Sequence, residues 1–225
     1  MLDREIKIMG KEIEIKAKID NINEVLLWLS NNAVFKRSIS QQDVLYDFVP
    51  RSFILDELTL KADEFIRIRC TEKEDFLTHK IILRDQKNNF LCCDEEEAVI
   101  KSENLQKICN ILSAFDVQNI NKTDCQSGKT LGTFLEENNF KKLIIIMKNR
   151  KEYVLQELNI AIDEVADLGY FIEIESLKST QDEKLIKMIK NQEANILKKL
   201  KIPSNNIVNK GYSDLLTENK TKLFE

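Results

Sequence analysis

Charged and aliphatic residues alternate almost without a break from Glu5 to Ile19, where Ile6, Ile8, Ile13, Ile15 and Ile19 bracket Glu12, Glu14 and Lys16. A period of two marks a strand with one apolar and one charged face. The same spacing returns along the chain in Arg67 and Arg69, Thr78 and Lys80, Lys148 and Arg150, and Glu173 and Glu175. A half-buried strand ordinarily turns its charged side to water, so one such strand carries no functional message. Here, however, carboxylate pairs stand near both ends of the chain and cationic pairs on the strands between them. If these strands close into a barrel whose helices cover the apolar outer face, the charged rows share its interior.

Such an interior suits a polyanion held with a divalent metal. Paired carboxylates are hard oxygen ligands for Mg²⁺ or Mn²⁺, and Arg and Lys bind phosphate oxygens. Glu12, Glu14, Asp163, Glu173 and Glu175, set against Lys16, Arg67, Arg69, Lys80, Lys148 and Arg150, leave one net positive charge. Two divalent ions and a triphosphate nearly cancel each other and keep the interior close to neutral; without metal the carboxylates repel the anion.

Composition narrows the alternatives. At 225 residues the chain is one domain, with its core over 5–216 and neither an internal repeat nor an interdomain linker. An apolar fraction of 43% and a charged fraction of 32% fit a globular protein. With only 5 Gly and 2 Pro, turns fall to Asn and Asp. The formal charge of −4 gives no net attraction to nucleic acid or an anionic membrane, and neither is expected as a partner. The apolar run Leu143 to Met147 is far short of the roughly 18 residues that span a bilayer, so a soluble protein is expected. Five cysteines, with Cys92 and Cys93 adjacent, and the lack of a secretory h-region point to free thiols in a reducing cytoplasm. A single histidine excludes His-based triads and His-rich zinc sites.

Periodicity places a helix from Ile22 to Trp28, stopped by Asn31 and Asn32, and a strand over Val44 to Val49 that Pro50 ends. Arg51 to Lys61 reads as a crossing segment, followed by a strand over 65–69. Phe76 to Arg84 and Phe90 to Ile100 form a hairpin through Asp85 to Asn89. Ser102 is expected to cap a helix carrying Leu105, Ile108, Cys109, Leu112 and Phe115. A second helix falls near Thr130 to Asn138. Strand pattern then fills Leu143 to Leu155 and Leu158 to Ser176, before a helix capped by Thr180 and Glu183. Gly128-Lys129-Thr130 ends like a phosphate loop, but Thr123 stands where that motif needs Gly, leaving a loop and helix start. His79 should point away from Lys80. Glu95 and Glu97 share a face and can enter the interior. Tyr212 is expected as a packing anchor for the tail rather than a border to a base.

Glu12-Ile13-Glu14-Ile15-Lys16 resembles the ExExK signature of the CYTH superfamily, the triphosphate tunnel metalloenzymes, which include class IV adenylyl cyclases and thiamine and inorganic triphosphatases. Phe65-Ile66-Arg67-Ile68-Arg69 resembles its LRxR strand, Thr78-His79-Lys80 its TxK and Lys148-Asn149-Arg150 its KxR. Asp163 and the pair Glu173, Glu175 are similar to its late acidic residues. The resemblance runs in order across residues 12 to 175. It implies an α+β fold, a closed eight-stranded antiparallel tunnel with helices packed outside. It further implies a triphosphate clamped by Lys16, Arg67, Arg69, Lys80, Lys148 and Arg150, with Mg²⁺ or Mn²⁺ among Glu12, Glu14, Asp163, Glu173 and Glu175.

Lys210-Gly211-Tyr212-Ser213-Asp214-Leu215-Leu216 is similar to the ending of the class IV cyclase branch, which converts ATP to cyclic AMP and pyrophosphate. An inorganic or thiamine triphosphatase is the alternative, and a non-catalytic triphosphate- or polyphosphate-binding module the next; a homodimer is a family-level expectation. The chain departs from the family at Leu83-Arg84-Asp85-Gln86-Lys87, where a Gly-Pro-Lys turn is usual, and at Cys92-Cys93-Asp94-Glu95, where an Arg-Glu-Glu strand is usual. A basic tunnel residue is then missing at Cys93, with Arg84 or Lys87 open as replacements for a loop lysine. Residues 121–140 form an extended helical insertion: a lid, a dimer contact or neither.

Overall fold

The computed structural model describes residues 13–51, 54–56, 61–62, 64–84, 90–176 and 183–222. In chain order the elements are β1 (Glu14–Lys18), α1 (Ile22–Asn32), β2 (Val34–Phe48), β3 (Ile54–Asp56), β4 (Lys61–Ala62), β5 (Glu64–Thr71), β6 (Asp75–Arg84), β7 (Phe90–Val99), α2 (Leu105–Ser113), α3 (Gly128–Glu137), β8 (Phe140–Leu155), β9 (Leu158–Val165), β10 (Gly169–Ser176), α4 (Glu183–Lys199) and α5 (Tyr212–Lys222). Eight strands form one antiparallel sheet in the order β1-β10-β9-β8-β2-β5-β6-β7, and β3 pairs with β4 in a small separate hairpin.

Alternation assigns the faces. Ile66, Ile68 and Leu77 turn outward, where α2 and α3 cover them with Ile108, Ile111, Leu112, Leu131 and Leu135. On the other half of the sheet, Ala17, Ile160, Ile162, Ile172 and Ile174 turn outward under Val25 and Leu29 of α1 and Ile196 and Leu197 of α4. Each fully buried Leu or Ile contributes about 2 kcal/mol of apolar transfer. The inner face carries a third cluster of Leu45, Ile144, Ile146, Val165 and Phe171, against which α5 packs Tyr212 and Leu216.

Several expectations change. β2 begins ten residues before the expected Val44, because its first half is polar or exposed on both sides and shows no alternation, yet it pairs along β8 from Val34–Val154 to Phe48–Phe140. Arg37 ties that half to β8 through Glu152 at 2.7 Å. The stretch Leu158 to Ser176 is two strands, split by a turn in which Asp167 takes φ 65° and Gly169 φ 92°. Ser102 does not cap α2. It opens a 3-10 turn, and its hydroxyl donates to the Lys122 carbonyl at 2.9 Å. Asp116, Asn119, Asn139 and Asp167, with φ between 56° and 67°, supply the left-handed turns that so few glycines leave to Asn and Asp. Residues 1–12 and 85–89, the Thr180 cap and the side chains of Cys92 and Cys93 lie outside the described part.

The segment 121–140 is part of the outer layer rather than a flap, since Leu131 and Leu135 are fully buried against the sheet. Gly128-Lys129-Thr130 is the start of α3, capped by Ser127 and Thr130, with the Gly128 N–H donating to Asp75 Oδ2 at 2.6 Å.

The closed barrel is not what the described residues form. β1 and β7 are the two edges and do not pair with each other. Instead the chain beyond α4 lies along the β1 edge: Ile207 bridges Ala17, and the Val208 N–H donates to the Lys16 carbonyl at 2.9 Å. This covers an edge whose backbone groups would otherwise lack partners. Among the described residues no helix is long and apolar enough to cross a membrane.

Candidate active site

Because the outward residues of each strand are fixed by the two helical layers, their sequence neighbours must face inward. β5 therefore presents Arg67 and Arg69, β6 Lys80, β7 Glu95 and Glu97, β8 Lys148 and Arg150, β10 Glu173 and Glu175, and β1 Glu14 and Lys16, all on one cavity of about 410 Å³. Both edge strands contribute, so the sheet curls around this space without closing. Tyr212, the first residue of α5, and Lys210, just before that helix, also line it. Asp163 is fully buried beneath the wall. Glu12, Lys87 and the side chain of Arg84 lie outside the described part. His79 faces outward as expected, with Nε2 2.7 Å from Glu64 Oε1 and its ring edge-on to Phe115.

Six cations so close together are held by interleaved carboxylates. Glu173 pairs with Lys16 at 3.1 Å and accepts a further short hydrogen bond from Arg150. Arg150 also forks onto Asp163 with two bonds of 2.6 Å, and Lys148 Nζ reaches the same carboxylate at 3.2 Å. The Tyr212 hydroxyl donates to Asp163 Oδ2 at 3.0 Å, so four donors occupy that carboxylate. Across the cavity Arg67 donates to Glu95 at 2.9 Å and to the Thr78 hydroxyl at 3.1 Å, while Lys80 pairs with Glu95 at 3.1 Å. Lys210 pairs with Glu218 of α5.

The charge states follow from this arrangement. Burial pushes the Glu173 carboxyl up, but Lys16, Arg150 and Lys148 outweigh it and hold the group well below the ordinary carboxylate range. Burial brings the Lys148 ammonium down to about 8, with Arg150 adding to the effect against the pull of Asp163 and Glu173. Lys16 is also opposed by burial, yet Glu173 and Glu14 raise it above its usual value.

Asp43 is the residue that periodicity misses. It is 4% exposed and meets Arg69 in a fork of 2.7 and 2.8 Å, an arrangement that fixes the guanidinium plane. Burial pushes its carboxyl up, but Arg69 wins and sets it at about 2. Carrying the alternation of Leu45 back through Asp43 to Gln41 would have found it. Among the buried side-chain polar atoms with no hydrogen-bond partner among the described residues are Arg67 Nε and Gln41 Oε1. An orphan donor on a cavity-lining arginine is a position that a ligand oxygen can satisfy.

The cavity is polarised along β8, where Ile144 and Ile146 give way to Lys148 and Arg150 on the same face. Leu45, Phe65, Ile82 and Val208 also line it, giving it an apolar portion beside the charged one. As to a divalent cation, no group of three acidic, Cys or His side chains among the described residues is arranged to hold one. Mg²⁺, however, is usually bound by one or two carboxylates together with substrate phosphates. Glu14 and Glu175, register partners across β1 and β10 that both line the cavity, fit that pattern in donor chemistry and position.

Comparison with known proteins agrees with this geometry. The CYTH domain model matches residues 10–212. A protein of Methanocaldococcus jannaschii provisionally named adenylate cyclase is 29% identical over 165 residues, which is 73% of this chain and 75% of that protein. A solved structure from Pyrococcus horikoshii OT3 is 25% identical, with a TM-score of 0.63 over 92% of this chain and 98% of that one. A Hippeastrum protein, provisionally named an adenylyl cyclase and described as having a dominant triphosphatase activity, shares the fold at 17% identity, with a TM-score of 0.54 over 90% of this chain and 91% of that one. The inward cationic and acidic rows and the match over residues 10–212 lead to one assignment: the chain belongs to the CYTH family.

Proposed function

We propose that this chain is a metal-dependent triphosphate enzyme of the class IV adenylyl cyclase type, converting ATP to cyclic AMP and pyrophosphate. The observation that carries the triphosphate reading is the convergence of Lys16, Arg67, Arg69, Lys80, Lys148 and Arg150, from four strands, on one cavity that also holds Glu14, Glu173 and Glu175. The apolar portion built by Leu45, Phe65, Ile144 and Ile146 favours a substrate with an organic part over a bare phosphate chain.

In this reading the cations exchange their carboxylate partners for phosphate oxygens. Arg67 and Lys80 turn from Glu95 to the triphosphate, and Arg67 Nε gains the acceptor it lacks among the described residues. Arg69, held in orientation by Asp43, and Arg150, held in orientation by Asp163, offer their remaining N–H groups in fixed directions. Lys16 and Lys148 hold the oxygens nearest the acidic side. Glu14 and Glu175, with Glu173 beside them, would hold Mg²⁺ or Mn²⁺, which when bound would make the attacking hydroxyl more acidic and draw charge from the leaving phosphate. The ribose 3′-oxygen then bonds to the α-phosphorus, its proton passing to solvent, as the bridge to the β-phosphate breaks, and the clamp lysines and arginines stabilise the pyrophosphate released.

Triphosphate hydrolysis is the second reading, because the same clamp with water as nucleophile gives it, and a protein of this fold is described by that activity. Chromatographic analysis of products from ATP, tripolyphosphate and thiamine triphosphate, each with Mg²⁺ and with Mn²⁺, separates the two. Cyclic AMP with pyrophosphate is the expected outcome. Phosphate without cyclic AMP gives the hydrolase, and binding without product gives a non-catalytic module.

A further inference from the structure

We propose that Tyr212, the first residue of α5, is a positioning residue of the cationic clamp: its ring holds the ammonium groups of Lys16 and Lys148 inside the cavity. The proposal rests on the reading of the cavity as a triphosphate site. Lys16 Nζ stands 4.4 Å from the centroid of the Tyr212 ring, and Lys148 Nζ stands 5.3 Å from it. Both distances lie within the reach of cation–π attraction, which strengthens where water is excluded, and Tyr212 is 7% exposed. The ring is itself fixed at both ends. Its hydroxyl donates to Asp163 Oδ2 at 3.0 Å, and its edge meets Phe171 with centroids 5.2 Å apart.

Each lysine is thus caught between a carboxylate and an aromatic face: Lys16 between Glu173 and the ring, Lys148 between Asp163 and the ring. This matters because lysine carries its charge on a flexible four-carbon stem whose rotamer freedom must be given up when it grips a phosphate. Fixing the ammonium groups beforehand removes that loss from the binding step. A carboxylate alone would do so by competing with phosphate for the same charge. The ring attracts the cation without neutralising it, so the lysine remains available to the anion. The segment that delivers Tyr212 is anchored for the purpose, since Ile207 and Val208 lie along β1 next to Lys16 itself. Packing explains why the residue is large and aromatic. It does not explain why two cavity lysines from different strands converge on one ring.

The test is calorimetric titration of the full chain, in Mg²⁺, with imidotriphosphate, the tripolyphosphate analogue whose bridging oxygens are NH groups. Absence of binding by the wild type would overturn the triphosphate reading itself, whatever Tyr212 does. Given binding, Tyr212→Phe, which keeps the ring, should hold Kd within about threefold of wild type, while Tyr212→Leu should raise it about tenfold with cooperative melting retained. A wild-type Kd in Tyr212→Leu, or a loss in Tyr212→Phe as large as in Tyr212→Leu, would overturn the proposal. If Tyr212→Leu does not fold, Tyr212→Met replaces it. Failure of both to fold would make the ring a structural anchor and would equally overturn the assignment.

Discussion

Asp43 shows how a single carboxylate can decide what its arginine partner does. Its folded pKa of about 2 lies below the ordinary 3.8, so its ionised form is favoured by folding. The resulting stability is fully present above about pH 4 and is lost as pH falls toward 2, and it amounts to on the order of 2 kcal/mol. Comparing thermal unfolding of wild type and Asp43→Asn across this range should show an advantage for wild type at pH 6 that shrinks on acidification; a constant gap would contradict the pairing. The same pair makes Arg69→Ala a poor probe of function, because it strands a buried carboxylate at a cost of about 3–5 kcal/mol. The clamp cations and most carboxylates were legible because i, i+2 spacing fixes a shared face whatever the tertiary fold. Asp43 was hidden by the polar first half of β2, and Tyr212 revealed its two lysine partners only when distant strands met.

At the scale of elements, α4 contains an internal conflict. Glu193 is fully buried with neither carboxylate oxygen hydrogen-bonded among the described residues, and burial, with Glu14 and Glu175 nearby, pushes it up to about 8. A carboxyl whose folded pKa exceeds its unfolded 4.5 keeps its proton longer in the folded chain, so stability should fall as pH rises from about 4.5 to about 8. Denaturant unfolding should show that decline, of at most about 5 kcal/mol, and Glu193→Gln should flatten it; an equal slope in both proteins would contradict it. The apolar stripes of α2 and α4 could be read from sequence because three- and four-residue steps report burial directly. The length of β2 could not, since main-chain pairing with β8 sustains a segment that buries little. Nor could α5, whose place is set by Tyr212 and Leu216 meeting the inner face rather than by a long apolar stripe.

Taken as a whole molecule, the chain gathers its clamp cations, interleaved with about as many carboxylates, on one cavity inside a protein of net charge −4, so composition alone points away from an anionic ligand. Alternation put each pair of charges on one face of its own strand, and the CYTH resemblance implied the α+β class. Closure could not be read from alternation, because whether two edges pair depends on sheet twist and on what covers them, and here residues 207 and 208 lie along one edge. The assignment of this cavity as the triphosphate site is tested most directly by turnover of ATP and tripolyphosphate, with Mg²⁺ or Mn²⁺, by wild type, Glu14→Gln and Lys80→Met, each first shown to melt cooperatively. Product formation by wild type with a loss of about a hundredfold or more in both variants is predicted. Folded variants that match the wild-type rate, or a wild type that neither binds nor converts either triphosphate, would contradict it.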